Sequence, residues 1–169
     1  MPEHVPSTGR PSPVAGTALE PLLERFHIDF VPADPQPSWV RWILASAVAV
    51  VGSLAADAAL VAVGKAVFPG THHFAHYAFG DYAKLTVIGV LIASVGWAVV
   101  TRVSSRPRWV FVRAAVAVTV LLLVPDLYIW LQGESSQGVL VLVAMHLAIA
   151  VVTYNALVRI APAGEAHRG

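Results

Sequence analysis

Four long apolar stretches constrain the fold of this chain more than any other feature. They run over about residues 39–68, 85–103, 109–130 and 139–160. Each has close to or more than the roughly 20 residues that a helix needs to cross a hydrocarbon core about 30 Å thick. Lipid offers backbone polar groups no hydrogen-bond partner, so these segments must be helical. Since the connections are short, the sequence predicts an all-α membrane protein, an antiparallel bundle of four transmembrane helices.

The composition excludes several other classes of protein. Charged residues make up 12% of the chain, whereas a soluble domain has about a quarter. Cysteine is absent, which excludes disulfides, thiolate metal sites and cysteine nucleophiles. The net charge is only +1, so we expect membrane lipid and no nucleic acid as a partner. Phosphate-binding glycine loops, serine elbows and zinc-helix motifs are also missing, so the sequence does not indicate an enzyme.

The first 37 residues differ from the rest of the chain. They hold eight of the twelve prolines and lack the apolar stretch of a cleavable signal peptide. We therefore predict a Pro-rich, partly disordered cytoplasmic segment over 1–37, a four-helix domain over 38–161 and a short cytoplasmic tail over 162–169.

A short amphipathic helix is expected within the first segment. Apolar residues recur there at helical spacing, namely Leu19, Leu22, Leu23, Phe26 and Phe30. Such a helix can lie on the membrane or dock on a partner protein. It can equally pack against the chain's own bundle, and the sequence leaves both alternatives open.

The distribution of basic residues predicts the orientation in the membrane. Arg102, Arg106 and Arg108 lie between the second and third stretches, whereas residues 132–138 contain no Lys or Arg. Short loops rich in Lys and Arg remain on the cytoplasmic side. We therefore expect a multi-pass protein of the cell membrane with both termini in the cytoplasm.

Three ionisable residues lie inside the predicted spans: Asp57, Asp126 and His146. Each costs about 2.5–3.5 kcal/mol on insertion scales, so each should face the bundle interior. A rise of 1.5 Å per residue places Asp57 and His146 at similar depths, about 15 and about 13 Å from the outer ends of their spans. The sequence therefore predicts a buried Asp57–His146 pair, and a pocket of all three residues for a small ligand, a proton or an ion.

A second candidate site lies in the first outer loop, residues 68–82. His72 and His76 are four residues apart, and a short helix would place both imidazoles on one metal ion. Asp81, or alternatively Glu134 or Asp126, would complete a site for a divalent metal, the one cofactor that the sequence suggests. The aromatic residues of this loop favour the alternative, an interfacial segment without metal.

Small residues on two spans indicate close helix packing. They are Ser46, Ser53 and Gly64 in the first span, and Gly89, Ala93 and Gly96 in the second. Small faces let helices approach each other in lipid. The helices brought together are either those of this chain or those of a second subunit.

Three short motifs carry a family resemblance. They are the run Leu-Thr-Val-Ile-Gly-Val at 85–90, Val-Pro-Asp-Leu at 124–127 and Met-His at 145–146. Over about residues 40–160 the chain resembles an uncharacterised family of small four-span membrane proteins from high-GC actinobacteria. The resemblance implies a four-helix integral membrane fold and places Asp126 and His146 in the family pattern. It implies no activity.

Three hypotheses for function follow. The first is a non-enzymatic subunit or accessory partner of a membrane complex; the partners expected besides lipid are another membrane protein or further copies of this chain. The second is binding or transport of a small ligand, a proton or an ion through Asp57, Asp126 and His146. The third is a metal-dependent membrane enzyme that uses His72 and His76.

Overall fold

A computed structural model describes residues 19–71 and 77–164 of the chain. The helices are α1 (Glu20–Arg25), α2 (Trp39–Val67), α3 (Phe79–Val103), α4 (Pro107–Leu131) and α5 (Ser136–Ile160), with a 3-10 turn at Pro69–Thr71. No strand occurs in the described residues. Helices α2 to α5 are each long and apolar enough to cross a membrane. The predicted all-α fold with four transmembrane helices is confirmed, and the chain is a multi-pass membrane protein.

Capping residues set the ends of the long helices. The Ser38 hydroxyl accepts from the Arg41 amide at the start of α2, at 3.4 Å, as expected of a serine N-cap. Helix α4 begins at Pro107, where the missing N–H costs nothing. Helix α3 begins at Phe79, six residues before the predicted start of the second span, because its polar first turn falls outside the apolar stretch.

The four long helices form a closed ring in chain order. Helix α2 packs on α3, α3 on α4, α4 on α5 and α5 back on α2, and α3 also contacts α5 across the centre. The contact between α2 and α5 is the most extensive. The first and last spans are therefore neighbours, as the predicted Asp57–His146 pair requires.

The two sets of small residues have different roles. A Cβ on Gly64 would lie 2.9 Å from Val141 Cγ2 of α5, and Ser53 is fully buried. The small residues of α2 therefore pack within the chain. On α3, Ala93 packs against the cluster of Trp97 and Leu157, whereas a Cβ on Gly89 or on Gly96 would meet no described residue within 4 Å. Packing inside the bundle is therefore the wrong interpretation for these two α3 glycines.

The segment before α2 folds back over one end of the bundle. The amide of Phe30 donates to the Val103 carbonyl at 3.0 Å, and that of Ala33 to the Thr101 carbonyl at 2.8 Å. We call residues 27–37 the strap, and the end of the bundle that they cover the strap end. The sequence left two alternatives for this region, contact with the membrane or a partner and packing against the chain's own bundle. The strap packs against the chain's own bundle.

Helix α1 is shorter than the apolar spacing predicted. It ends at Arg25, and none of its residues is buried. His27 and Phe30 adopt φ values of 52° and 53°, a left-handed conformation that cannot continue an α-helix. Phe30 therefore belongs to the strap and not to an amphipathic helix.

Apolar clusters close both ends of the bundle. At the strap end Trp97, Phe111 and Leu157 pack together, and Trp97 Nε1 donates to the Ala161 carbonyl at 3.0 Å. At the opposite end Val61, Tyr77, Val141, Leu142 and Met145 form a second cluster. The buried polar side chains described next lie between the two clusters.

Candidate functional site: a buried acid–histidine cluster

Asp57 is the most completely enclosed carboxylate of the described chain. Its side chain is 0% exposed, and most other residues of α2 are apolar. Its Oδ2 accepts a hydrogen bond from Thr86 Oγ1 of α3 at 2.7 Å. Its Oδ1 is buried and has no hydrogen-bond partner among the described residues. A buried carboxylate oxygen without a partner is costly, so it calls for an explanation.

His146 of α5 contacts Asp126 of α4. The distance from His146 Nδ1 to Asp126 Oδ2 is 3.0 Å, and the same nitrogen lies 3.0 Å from the Leu142 carbonyl. A carbonyl and a carboxylate only accept hydrogen bonds, so Nδ1 carries a proton when Asp126 is ionised. The exposed fractions of the two side chains are 25% and 8%. The cluster therefore has one member, His146, that is only partly covered by the bundle.

The expected direct pair of Asp57 and His146 is not formed. Within the described residues the only ion pair of His146 is with Asp126, and His146 acts on Asp57 through a longer electrostatic interaction. Asp57 and His146 do lie at the same depth. Each is ten positions, or about 15 Å, from the end of its helix. Depth says nothing about rotation around the helix axis, and this rotation directs Asp57 to α3 and His146 to α4.

The cluster nevertheless draws on all four long helices. Asp57 comes from α2, Thr86 from α3, Asp126 from α4 and His146 from α5. Asp126 is the one buried residue in the second half of α4, next to Pro125 within a continuous helix. An ionisable side chain turned inward from so apolar a helix makes Asp126 a candidate functional residue. The three residues predicted from the sequence therefore all lie in the bundle, as two separate contacts, Asp57 with Thr86 and His146 with Asp126.

Two further polar side chains lie on the strap side of Asp57. Ser53 is one helical turn away on α2, and its Oγ lies 3.4 Å from Thr153 Oγ1 of α5. Ser53 is 0% and Thr153 is 4% exposed. The sequence reasoning assigned no site role to Ser53, Thr153 or Thr86. Spacing indicates Ser53 alone, because Ser53 precedes Asp57 by four residues and lies on the same face of α2.

Tyr77 covers the cluster from the end opposite the strap. It precedes α3, is 4% exposed and packs with Val61 and Met145. Burial raises the pKa of Tyr77 and outweighs the opposite effect of its hydrogen bond with Thr71. The phenol is therefore neutral at physiological pH, and an apolar cover separates Asp57 from this end of the bundle.

The candidate metal site lies mainly outside the described residues. His72 and His76 both fall in the undescribed residues 72–76, and Asp81 is exposed in the first turn of α3. Among residues 19–71 and 77–164, no group of three metal-binding side chains is assembled. The metal site stays a prediction.

These features define a helical multi-pass membrane protein whose four spans enclose an acid–histidine cluster. The model of a family of unknown function, DUF6069, matches residues 33–163, and the chain belongs to this family. The match covers all four long helices and every residue of the cluster, and it agrees with the expectation that the family is uncharacterised. Comparison with curated proteins and with solved structures gives no significant match.

Proposed function

We propose that this protein moves protons, or an ion exchanged for protons, through the cluster of Asp57, Asp126 and His146. The observation that carries the proposal is the 3.0 Å contact between His146 Nδ1 and Asp126 Oδ2, in the same bundle interior as the fully buried Asp57. Two carboxylates and an imidazole inside apolar spans are costly to insert. Packing alone would be served better by apolar residues.

The charges of the cluster suit proton exchange. A protonated His146 balances the charge of Asp126, which leaves one negative charge on Asp57. A proton bound at Asp57 then makes the cluster neutral. His146 faces both carboxylates electrostatically, since it forms the ion pair with Asp126 and also interacts with Asp57 at longer range. Proton occupancy therefore sets the net charge in the middle of the bundle.

Orientation follows from the arginines at the strap end. Arg102, Arg106 and Arg108 are exposed there, beside the strap. We propose that the strap end faces the cytoplasm of the cell, in agreement with the rule for basic loops. The cluster then lies in the outer half of the membrane. His146, as its partly exposed member, is the group that exchanges protons with the outside.

The test is proton movement by the full-length protein in lipid vesicles. After a pH gradient is imposed, a dye trapped inside should report faster proton entry for the wild type than for Asp57→Asn or His146→Gln. His27→Gln is the matched control, because His27 lies at the strap end against Trp109, and it should behave like the wild type. Equal rates in wild-type, Asp57→Asn and protein-free vesicles would contradict the proposal.

A second candidate function is that of a subunit in an assembly of copies of this chain. The observation that favours it is the α3 surface at Gly89 and Gly96, where a side chain would meet nothing within the described chain. Small residues on lipid-facing helices are the ones that let another helix approach closely. The test is the oligomeric state in mild detergent, measured by light scattering. A strictly monomeric protein would remove this candidate.

A further inference from the structure

We propose that Asp57, Ser53, Thr153 and Thr86 form a binding site for a monovalent metal cation, with Na⁺ as the ion to test. The inference rests on the proposed function, because it names the ion that competes with the proton at Asp57. Its starting point is the buried Asp57 Oδ1, which has no hydrogen-bond partner among the described residues. A cation would supply the missing partner.

The three hydroxyl side chains of the proposed site come from three helices, α2, α3 and α5. Thr86 Oγ1 of α3 contacts the other carboxylate oxygen at 2.7 Å. Ser53 lies one turn from Asp57 on α2, a spacing that brings Cβ atoms to about 5–6 Å. Thr153 Oγ1 of α5 lies 3.4 Å from Ser53 Oγ. All four side chains are at least 95% buried.

This set of ligands selects a hard cation. Carboxylate and hydroxyl oxygens suit alkali and alkaline-earth ions, whereas transition metals prefer imidazole or thiolate ligands. The imidazole of the acid–histidine cluster is engaged elsewhere, because His146 Nδ1 lies 3.0 Å from both Asp126 Oδ2 and the Leu142 carbonyl. The site therefore offers a cation oxygen ligands, and the Nδ1 atom of His146 is not available to bind it.

The charge of the site favours a monovalent ion over a divalent one. Asp57 is its one carboxylate, and His146 neutralises Asp126 when it is protonated. Among the described residues, Tyr82 of α3 also interacts with Asp57, and its phenol is neutral at ordinary pH. One negative charge balances one positive charge. Ca²⁺ takes about six to eight oxygens, usually with several carboxylates.

Binding of Na⁺ and of a proton at Asp57 would exclude each other. A protonated carboxyl has lost the negative charge that holds the cation, and a bound cation repels the incoming proton. The contact between the Ser53 and Thr153 hydroxyls is long at 3.4 Å, near the upper limit for a hydrogen bond. Little is therefore lost when both hydroxyls turn their oxygens toward a cation.

The experiment is thermal unfolding of the full-length protein in lipid nanodiscs at pH 8. The probe is NaCl, compared with N-methyl-D-glucamine chloride at the same ionic strength. A ligand that binds only the folded state raises the unfolding midpoint. We expect NaCl to raise the midpoint of the wild type, and the rise to disappear in Asp57→Asn, Ser53→Ala and Thr153→Val.

The matched control is Ser46→Ala. Ser46 lies on the same face of α2, two turns farther from Asp57, and its hydroxyl donates to the Trp42 carbonyl. This variant should keep the full response to NaCl. An equal response in wild type, Asp57→Asn and Ser53→Ala would overturn the inference, as would a wild type that responds to MgCl₂ but not to NaCl. The three site variants differ in charge and volume, so misfolding of one leaves the others to decide.

The cation site and the proposed function fail separately. Proton entry into vesicles that depends on Asp57, without any specific effect of Na⁺, would refute the cation site and leave the proton function standing. A Na⁺ response that depends on Ser53 and Asp57, without proton entry, would support the site and refute the proton function.

Discussion

Asp29 is the ionisable residue among those that attach the strap to the bundle. Its Oδ1 accepts from the Ser105 amide at 3.0 Å and from the Val31 amide at 3.2 Å, and its Oδ2 accepts from the Ser105 hydroxyl. Burial raises the pKa of Asp29, but these hydrogen bonds together outweigh burial, so the pKa lies below its usual value of 3.8. Neutral pH therefore keeps the carboxylate charged and the strap attached.

The sign of the pH dependence follows from this lowered pKa. A group whose pKa is lower in the folded state stabilises the fold above its unfolded pKa. The contribution of Asp29 should be complete above pH 3.8 and should be lost as the pH falls through the folded value. Asp29→Asn should cost about 1 kcal/mol at neutral pH, since the group is partly exposed to solvent.

The measurement is the free energy of unfolding of wild type and variant as a function of pH. The difference between them should vanish in acid. Ser105→Ala is the matched variant, because it removes one donor to Asp29 and leaves the backbone donor in place. A constant difference between wild type and Asp29→Asn over the whole pH range would show that the charge of Asp29 does not hold the strap.

At the scale of the helix, glycines of similar sequence context have opposite surroundings. Gly64 of α2 faces α5, where a Cβ would lie 2.9 Å from Val141 Cγ2 and 3.3 Å from Tyr77 Oη. Gly89 of α3 is exposed, with nothing within 4 Å of a Cβ. Gly64 is needed for the α2–α5 contact, and Gly89 is available for a contact between copies of this chain.

Leucine at these two positions should separate folding from assembly. Gly64→Leu overpacks the α2–α5 contact and should destabilise the fold by about 1–3 kcal/mol. Gly89→Leu should leave the unfolding midpoint unchanged and shift the mass in detergent toward the monomer. Thermal unfolding and light scattering measure the two effects. A Gly89→Leu protein that is destabilised as strongly as Gly64→Leu would mean that α3 is buried in the bundle at this position.

At the scale of the whole molecule, the ring of four helices places its charged groups unevenly. Exposed arginines surround the strap end, whereas the loop between α4 and α5 carries Glu134. The absence of cysteine from the chain makes the orientation easy to measure. A single introduced cysteine is the only thiol that a maleimide can label.

We expect Glu134→Cys to react with a membrane-impermeant maleimide added to intact cells. Arg106→Cys should react only after the membrane is opened, because basic loops stay on the cytoplasmic side. Both positions are exposed to solvent or headgroups, so burial does not protect either thiol. Labelling of Arg106→Cys alone in intact cells would invert the proposed orientation and would place the acid–histidine cluster in the inner half of the membrane.

The sequence alone determined the number and type of the long helices. The hydrocarbon core of a membrane has no hydrogen-bonding groups, so each apolar stretch of about 20 residues must form a helix. The same reasoning selected Asp57, Asp126 and His146 as inward-facing residues, because charges are costly in hydrocarbon. Both conclusions depend on local composition, which can be read directly along the chain.

Only the tertiary structure decided which residues contact each other. Helix rise gives depth, but the rotation of each helix depends on how side chains of four different helices pack together. This rotation pairs His146 with Asp126, gives Thr86 to Asp57 and turns Gly89 away from the bundle. It also brings Thr153 to Ser53, and it lets the strap donate to the Thr101 and Val103 carbonyls. Such contacts join residues far apart in the chain, so no spacing within one segment encodes them.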